Sequence, residues 1–169
     1  ATSPQADETM WLICGTEVLP SPEVAFSPRQ LRFIFHPPVY VYFLGAAFAA
    51  TSSLVAVQYL QCVIAALLVP AVGLAGRTGF GERAGLAAAG IAAFYPELVW
   101  FAAHFWAETL FTVLLWWAME RLAASDARGS PAAALGAGAL FGLAILTRET
   151  VLYFVPLAAL WLAWRRPGG

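Results

Sequence analysis

Apolar residues run along this chain in stretches about as long as a membrane crossing, separated by short polar segments. Residues 54–76, LVAVQYLQCVIAALLVPAVGLAG, form one such stretch, since a spanning helix needs about 20 mostly apolar residues. The stretches 84–122 and 131–164 are each too long for one crossing and have polar residues near their middles. We therefore predict spans at about 54–76, 85–103, 105–122, 132–147 and 150–164.

The segment before the first span follows a different pattern. Residues 39–50, VYVYFLGAAFAA, are apolar but too few to cross a membrane, and prolines are frequent before them. We interpret 39–50 as an interfacial or re-entrant helix, with Tyr40 and Tyr42 at the headgroup level. The prediction is an extracytoplasmic loop with juxtamembrane helices over 1–53, followed by a transmembrane helical bundle over 54–169.

Composition supports a membrane protein. Hydrophobic residues make up 61% of the chain and charged residues 11%, with a mean hydropathy of +0.74. A soluble domain has about a quarter of its residues charged. Lysine is absent and the net charge is −1, which gives no indication of nucleic-acid binding. The predicted fold class is all-α, a polytopic helical membrane protein with about five spans in contact with membrane lipids.

The positions of the arginines predict an orientation, because cytoplasmic loops are enriched in positive charge. Three successive loops of the predicted topology, all on one side, contain pairs of arginines: Arg77 and Arg83, Arg121 and Arg128, and Arg165 and Arg166. We predict that this side faces the cytoplasm and that the two hairpin tips face outward.

Small residues recur at every fourth position on one predicted helix: Ala134, Gly138 and Gly142. This spacing is typical of helices in close contact. It predicts helix–helix packing and gives no indication of a catalytic or binding role.

Two acids near the start of the chain are candidate functional groups. Asp7 and Glu8 precede TMWLICGTEVL, which can form a short amphipathic helix. An acid at that position can cap the helix. It can equally act as a general base on a hydroxyl group within hydrogen-bond reach. The residues alone leave both interpretations open.

Four further polar residues lie at the predicted tips. His104 and Glu108 are four positions apart, which would place them on one helix face. They can form a hydrogen-bonded pair lining a cavity or contribute two ligands to a metal. Arg148 can bind a phosphate through its guanidinium, pair with Glu149 or Glu108, or extend to the interface. Glu97 follows Pro96 and can mark a helix start.

The chain begins at Ala1 without a methionine and ends at PGG directly after an apolar run. We expect it to be part of a larger membrane protein.

Several segments, taken in order, resemble one family: ADETMWLI, HPPVYVYFLGAAF, FYPELVWFAAHFWAETLFTVLL and GALFGLAILTRET. Together they resemble the membrane glycosyltransferases of the GT-C superfamily that use polyprenyl-phosphate sugars, which include dolichyl-phosphate-mannose protein mannosyltransferases and lipid A aminoarabinose transferases. Relative to that family, a first spanning helix and the later helices are missing, and TRET stands where TRP is commoner. This predicts that the chain alone is inactive.

The resemblance implies an inverting transferase of the bacterial inner membrane with its active site facing outward. Asp7 would be the catalytic base, with Glu8 as the alternative. Arg148 would stabilise the leaving phosphate, and His104, Glu108 and Glu149 would bind substrate. The implied partners are a lipid-linked sugar donor and a protein, lipid or glycan acceptor. No cofactor is expected, and a divalent metal stays open.

Two other functions compete with this one. A transporter or flippase subunit would use Arg148, Glu149, Glu108 and His104 to line a translocation path. A structural subunit would use the same charges only to pair helices.

Overall fold

The computed structural model describes residues 38–165, and the elements within that range are all helical. They are α1 (Pro38–Thr51), α2 (Leu54–Ala66), α3 (Leu68–Phe80), α4 (Glu82–Phe94), α5 (Pro96–Ala103), α6 (Ala107–Arg128), α7 (Pro131–Thr147), a 3₁₀ helix (Glu149–Tyr153) and α8 (Phe154–Arg165). The predicted all-α class is confirmed.

Helices α2 and α3 form one nearly continuous apolar stretch. Ser53 caps α2, its hydroxyl accepting a hydrogen bond from the backbone N–H of Ala56. Pro70 lacks the N–H that would bond to the carbonyl of Ala66, so the helical hydrogen bonds are interrupted where α2 passes into α3. Together the two helices form a 27-residue stretch, Leu54–Phe80, which is long and apolar enough to cross a membrane.

The five predicted spans are not confirmed. Within residues 38–165, length and composition qualify only Leu54–Phe80, or two spans if α4 and α5 are counted together. Those two helices are bent by 50° at Tyr95, because a residue before proline disfavours helical geometry. Of the other helices, α6 carries too many charges to qualify as a membrane span, and α1 and α7 are too short.

Helices α3 and α4 form an antiparallel hairpin around Gly81, whose φ of +91° favours glycine. The two backbones approach closely at Gly85. A Cβ atom on that residue would lie 2.6 Å from the carbonyl oxygen of Gly73 and 2.8 Å from the backbone nitrogen of Arg77. Gly76 lies at the same crossing, where its Cβ would be 3.1 Å from Gly85 Cα. Glycine is therefore required for this crossing.

Helices α6 and α7 form a second antiparallel hairpin around Gly129, whose φ is +62°. Their shared core contains Ala118, Leu122, Ala137 and Phe141. The predicted contact face on α7 is wrong within the described chain. A Cβ at Gly138 or Gly142 would meet no atom within 4 Å.

Charged residues lie in two groups, one at each end of the bundle. Helices α2 and α3 run in the same direction as α6, because Val57 clusters with Ala107 and Leu68 clusters with Val113. The turns at Gly81 and Gly129 therefore lie toward one end, which carries Arg77, Arg83 and Arg121. The start of α6 and the end of α7 lie toward the other end, with Glu108 and Arg148.

Candidate functional site

An ion pair joins the start of α6 to the end of α7. Arg148 Nη1 donates to Glu108 Oε1. Arg148 is the C-cap residue of α7; its backbone is extended, and its N–H donates to the carbonyl of Ala144 at 2.8 Å. Glu108 lies in the first turn of α6, where the helix dipole favours a carboxylate. The antiparallel packing of the two helices thus brings these opposite charges together.

The pair is only partly shielded from solvent. The side chain of Glu108 is 18% exposed and that of Arg148 is 42% exposed. Within residues 38–165, Glu108 is the carboxylate that the guanidinium contacts. A guanidinium has five N–H donors, so Arg148 keeps donors for a second anion.

A cavity of about 370 Å³ lies beside Glu108. Its walls come from α2 to α6 and are mostly apolar, formed by alanine, leucine, valine and phenylalanine side chains. Its polar lining residues are Cys62, Glu108, Thr109 and Thr112. The cavity is therefore mostly apolar, and the charged residue in its lining, Glu108, is paired with Arg148.

The prediction that His104 and Glu108 share a helix face is wrong. The helix is broken between them: His104 ends α5 in an extended conformation, and α6 begins at Ala107. The His104 ring stacks on Trp100 with centroids 4.2 Å apart, and its Nδ1 lies 2.7 Å from the carbonyl oxygen of Trp100. A carbonyl can only accept, so Nδ1 carries the proton and Nε2 is left as the acceptor in neutral His104.

Three side chains of α2 hydrogen-bond the carbonyls at the end of α5. Gln58 Nε2 donates to Ala103 O, Gln61 Nε2 donates to Phe101 O at 3.1 Å and to His104 O, and Cys62 Sγ donates to Ala102 O at 3.3 Å. The last carbonyls of a helix lack intrahelical donors. Sequence reasoning missed this contact, although polar residues at i, i+3 and i+4 in an apolar run were its signal.

Gln61 is the centre of a buried polar network. It is 1% exposed, and its Oε1 accepts a hydrogen bond from the Tyr40 hydroxyl at 3.0 Å. Thr109, also buried, lies 3.4 Å from Gln61 Nε2 through its hydroxyl oxygen and donates to Phe101 O at 2.8 Å. The network links α1, α2, the end of α5 and the start of α6.

The remaining predicted site residues have different positions. Glu149 is exposed at the start of the 3₁₀ helix, next to Arg148 in sequence. Glu97 lies in the first turn of α5 beside Pro96, as expected of a helix start. Asp7 and Glu8 lie outside the described residues, together with the rest of the predicted outer loop before residue 38.

A metal site has little support in the described part of the chain. Over residues 38–165, no three His, Cys, Asp or Glu side chains lie close enough to hold an ion. Cys62 is a free, exposed thiol there.

One family model matches the chain. It is described as dolichyl-phosphate-mannose-protein mannosyltransferase and covers residues 35–168, which include the ion pair, the cavity and the Gln61 network. No curated protein and no solved structure matches the chain significantly. The matched family comprises membrane-integral glycosyltransferases of the GT-C type. Because the match spans most of the sequence and agrees with the helical fold, the chain belongs to the dolichyl-phosphate-mannose-protein mannosyltransferase family.

Proposed function

We propose that the protein transfers a glycosyl group from a polyprenyl-phosphate sugar to an acceptor hydroxyl at the outer face of a bacterial inner membrane. The acceptor is a protein, a lipid or a glycan. The observation that carries the proposal is that Arg148, in a chain of this family, is paired with Glu108, and Glu108 lines an apolar cavity.

Arg148 is proposed to bind the phosphate of the donor. A guanidinium matches phosphate oxygens with paired N–H donors, and it stays charged at any physiological pH. Glu108 orients the guanidinium from one side, and the remaining donors are available to the ligand. In the reaction, Arg148 would stabilise negative charge on the departing polyprenyl phosphate.

Asp7 is proposed as the general base, with Glu8 as the alternative, and both lie outside the described residues. The carboxylate takes the proton of the acceptor hydroxyl while the hydroxyl oxygen attacks the anomeric carbon. The new carbon–oxygen bond forms as the bond to phosphate breaks, and the phosphate leaves with the bonding electrons. A single displacement inverts the configuration at the anomeric carbon.

The test is transfer of labelled sugar from a polyprenyl-phosphate donor in membranes that carry the complete protein. Wild-type protein should transfer label, whereas Asp7→Asn should insert normally and transfer none. Full activity of Asp7→Asn together with full activity of Glu8→Gln would refute the assignment of the base.

The absence of transfer with every donor tried would refute the proposed reaction. The transporter or flippase alternative would then be tested by substrate flux in wild type and Arg148→Ala.

A further inference from the structure

Side chains of α2 form hydrogen bonds with the backbone at the break between α5 and α6. Four successive carbonyls at the end of α5, from Phe101 to His104, accept from side chains on one face of α2. The last carbonyls of a helix lack intrahelical donors. At the end of α5 the α2 side chains supply donors, in addition to the backbone N–H of Trp106, which donates to His104 O at 2.9 Å.

The amide of Gln61 can bind in only one orientation. Its Nε2 faces the carbonyl oxygens of Phe101 and His104, and its Oε1 faces the hydroxyl of Tyr40. A flipped amide would place an acceptor against two acceptors. With the carbonyl of His104 held on one side and Thr109 on the other, Gln61 contacts both ends of the segment that connects α5 to α6.

Thr109 directly follows Glu108, so this segment also determines the position of the Glu108 carboxylate. Thr109 is nearly fully buried and its hydroxyl is held by Phe101 O. Its side chain lines the same cavity as that of Glu108. A shift in the start of α6 would therefore move Glu108 relative to Arg148 and to any ligand in the cavity.

We propose that Gln61 is a positioning residue of the transferase: it fixes the start of α6 and thereby holds the Glu108 and Arg148 pair in register with the donor. This inference rests on the proposed function. Gln61 is not among the residues that line the cavity beside Glu108.

The experiment measures kcat/KM for the polyprenyl-phosphate donor in four proteins: wild type, Gln61→Met, Arg148→Lys and the double variant. Gln61→Met keeps the length of the side chain and removes both its donors and its acceptor. Displacements of about 1 Å can cost about 100-fold in rate, so we expect a loss of roughly 10- to 100-fold in Gln61→Met. The same substitution should have a much smaller effect in the Arg148→Lys background, because the pair is already displaced there.

Val72→Ala is the control for a purely structural effect. Val72 is a buried residue of α3 that packs against Leu68 and Val113, away from the start of α6, and it does not line the cavity. Its effect on kcat/KM should be the same in both backgrounds. An equally background-independent effect of Gln61→Met would overturn the positioning role.

Two further variants keep the inference testable if Gln61→Met does not accumulate in the membrane. Gln61→Glu keeps an acceptor for Tyr40 and places a carboxylate against two carbonyl oxygens, so it should lose activity. Thr109→Val removes one hydroxyl with little change in shape and should show the same dependence on Arg148. Wild-type activity in both variants would overturn the inference, whereas inactive wild-type protein would overturn the proposed function and this inference with it.

Discussion

Glu108 and Arg148 are forty residues apart in the chain and form an ion pair between the first turn of α6 and the residue that ends α7. The pair closes the end of the α6–α7 hairpin opposite to Gly129. Its partial burial means that each charge would lose its best partner, but not all contact with water, if the other were removed.

The pair should contribute measurably to stability. We expect Glu108→Ala and Arg148→Ala each to destabilise the protein by up to about 1 kcal/mol, because water screens a partly exposed ion pair. The double variant should lose less than the two single losses combined, because residues in contact are energetically coupled. The losses in the free energy of unfolding of the two single variants and the double variant are measured by circular dichroism in detergent micelles.

Glu149→Ala is the control for this coupling. Glu149 is the sequence neighbour of Arg148 and its side chain is exposed. Combined with Glu108→Ala, it should give additive losses. If the losses from Glu108→Ala and Arg148→Ala were also additive, their ion pair would contribute nothing to stability.

Arg148 should be required for sugar transfer. We expect Arg148→Ala to lower kcat/KM for the donor by about 100-fold or more, the usual effect of removing one group that stabilises developing charge. Arg148→Lys should keep part of the activity, because it retains the positive charge but not the planar pair of donors. Transfer of labelled sugar in isolated membranes provides the measurement.

Arg83→Ala is the matched arginine control. Arg83 is exposed near the Gly81 turn, at the opposite end of the bundle from Arg148. Its removal should leave donor kinetics at the wild-type level. Equal losses in the two variants would mean that the requirement for Arg148 reflects overall positive charge and not phosphate binding.

Gly85 should tolerate no side chain. A Cβ there would lie 2.6 Å from a backbone oxygen of α3, so Gly85→Ala must separate the two helices. Overpacking of this kind costs about 1–3 kcal/mol, and Gly85→Leu should cost more than Gly85→Ala. The free energy of unfolding in micelles tests both.

Gly90→Ala serves as the control on the same helix. A Cβ at Gly90 meets no atom within 4 Å. Alanine is favoured over glycine in helices by about 1 kcal/mol, so this variant should be as stable as wild type or more so. If Gly85→Ala were equally harmless, the close crossing of α3 and α4 would be wrong.

The two ends of the bundle should face opposite sides of the membrane. Cysteine introduced at Glu149 should react with a membrane-impermeant maleimide in intact cells, whereas cysteine introduced at Arg83 should react only after the cells are opened. Both side chains are exposed. The unmodified protein, labelled in parallel, measures the background from Cys14 and Cys62. The reverse labelling pattern would place the proposed active site in the cytoplasm.

Some features of the fold could be predicted residue by residue. Pro96 with Glu97 correctly predicted the start of α5, because a proline in the first turn loses no hydrogen bond. The spacing of His104 and Glu108 gave a wrong prediction, because it assumed one continuous helix and the helix is broken between them. The stripe of small residues at Ala134, Gly138 and Gly142 also gave a wrong prediction of close helix contact. The close helix crossing occurs at Gly73, Gly76 and Gly85 instead. A stripe shows which residues can permit contact but not which helix lies opposite.

The sequence by itself determined the helical class and the family, because long apolar runs and the order of the motifs are properties of the chain alone. It also identified Arg148 and Glu108 as candidates, since charges in apolar stretches are rare. Tertiary structure decided that these two residues are partners and that Gln61 supports the segment carrying Glu108. Both contacts join residues forty or more positions apart, and the packing of the helices, not local spacing, brings such residues together.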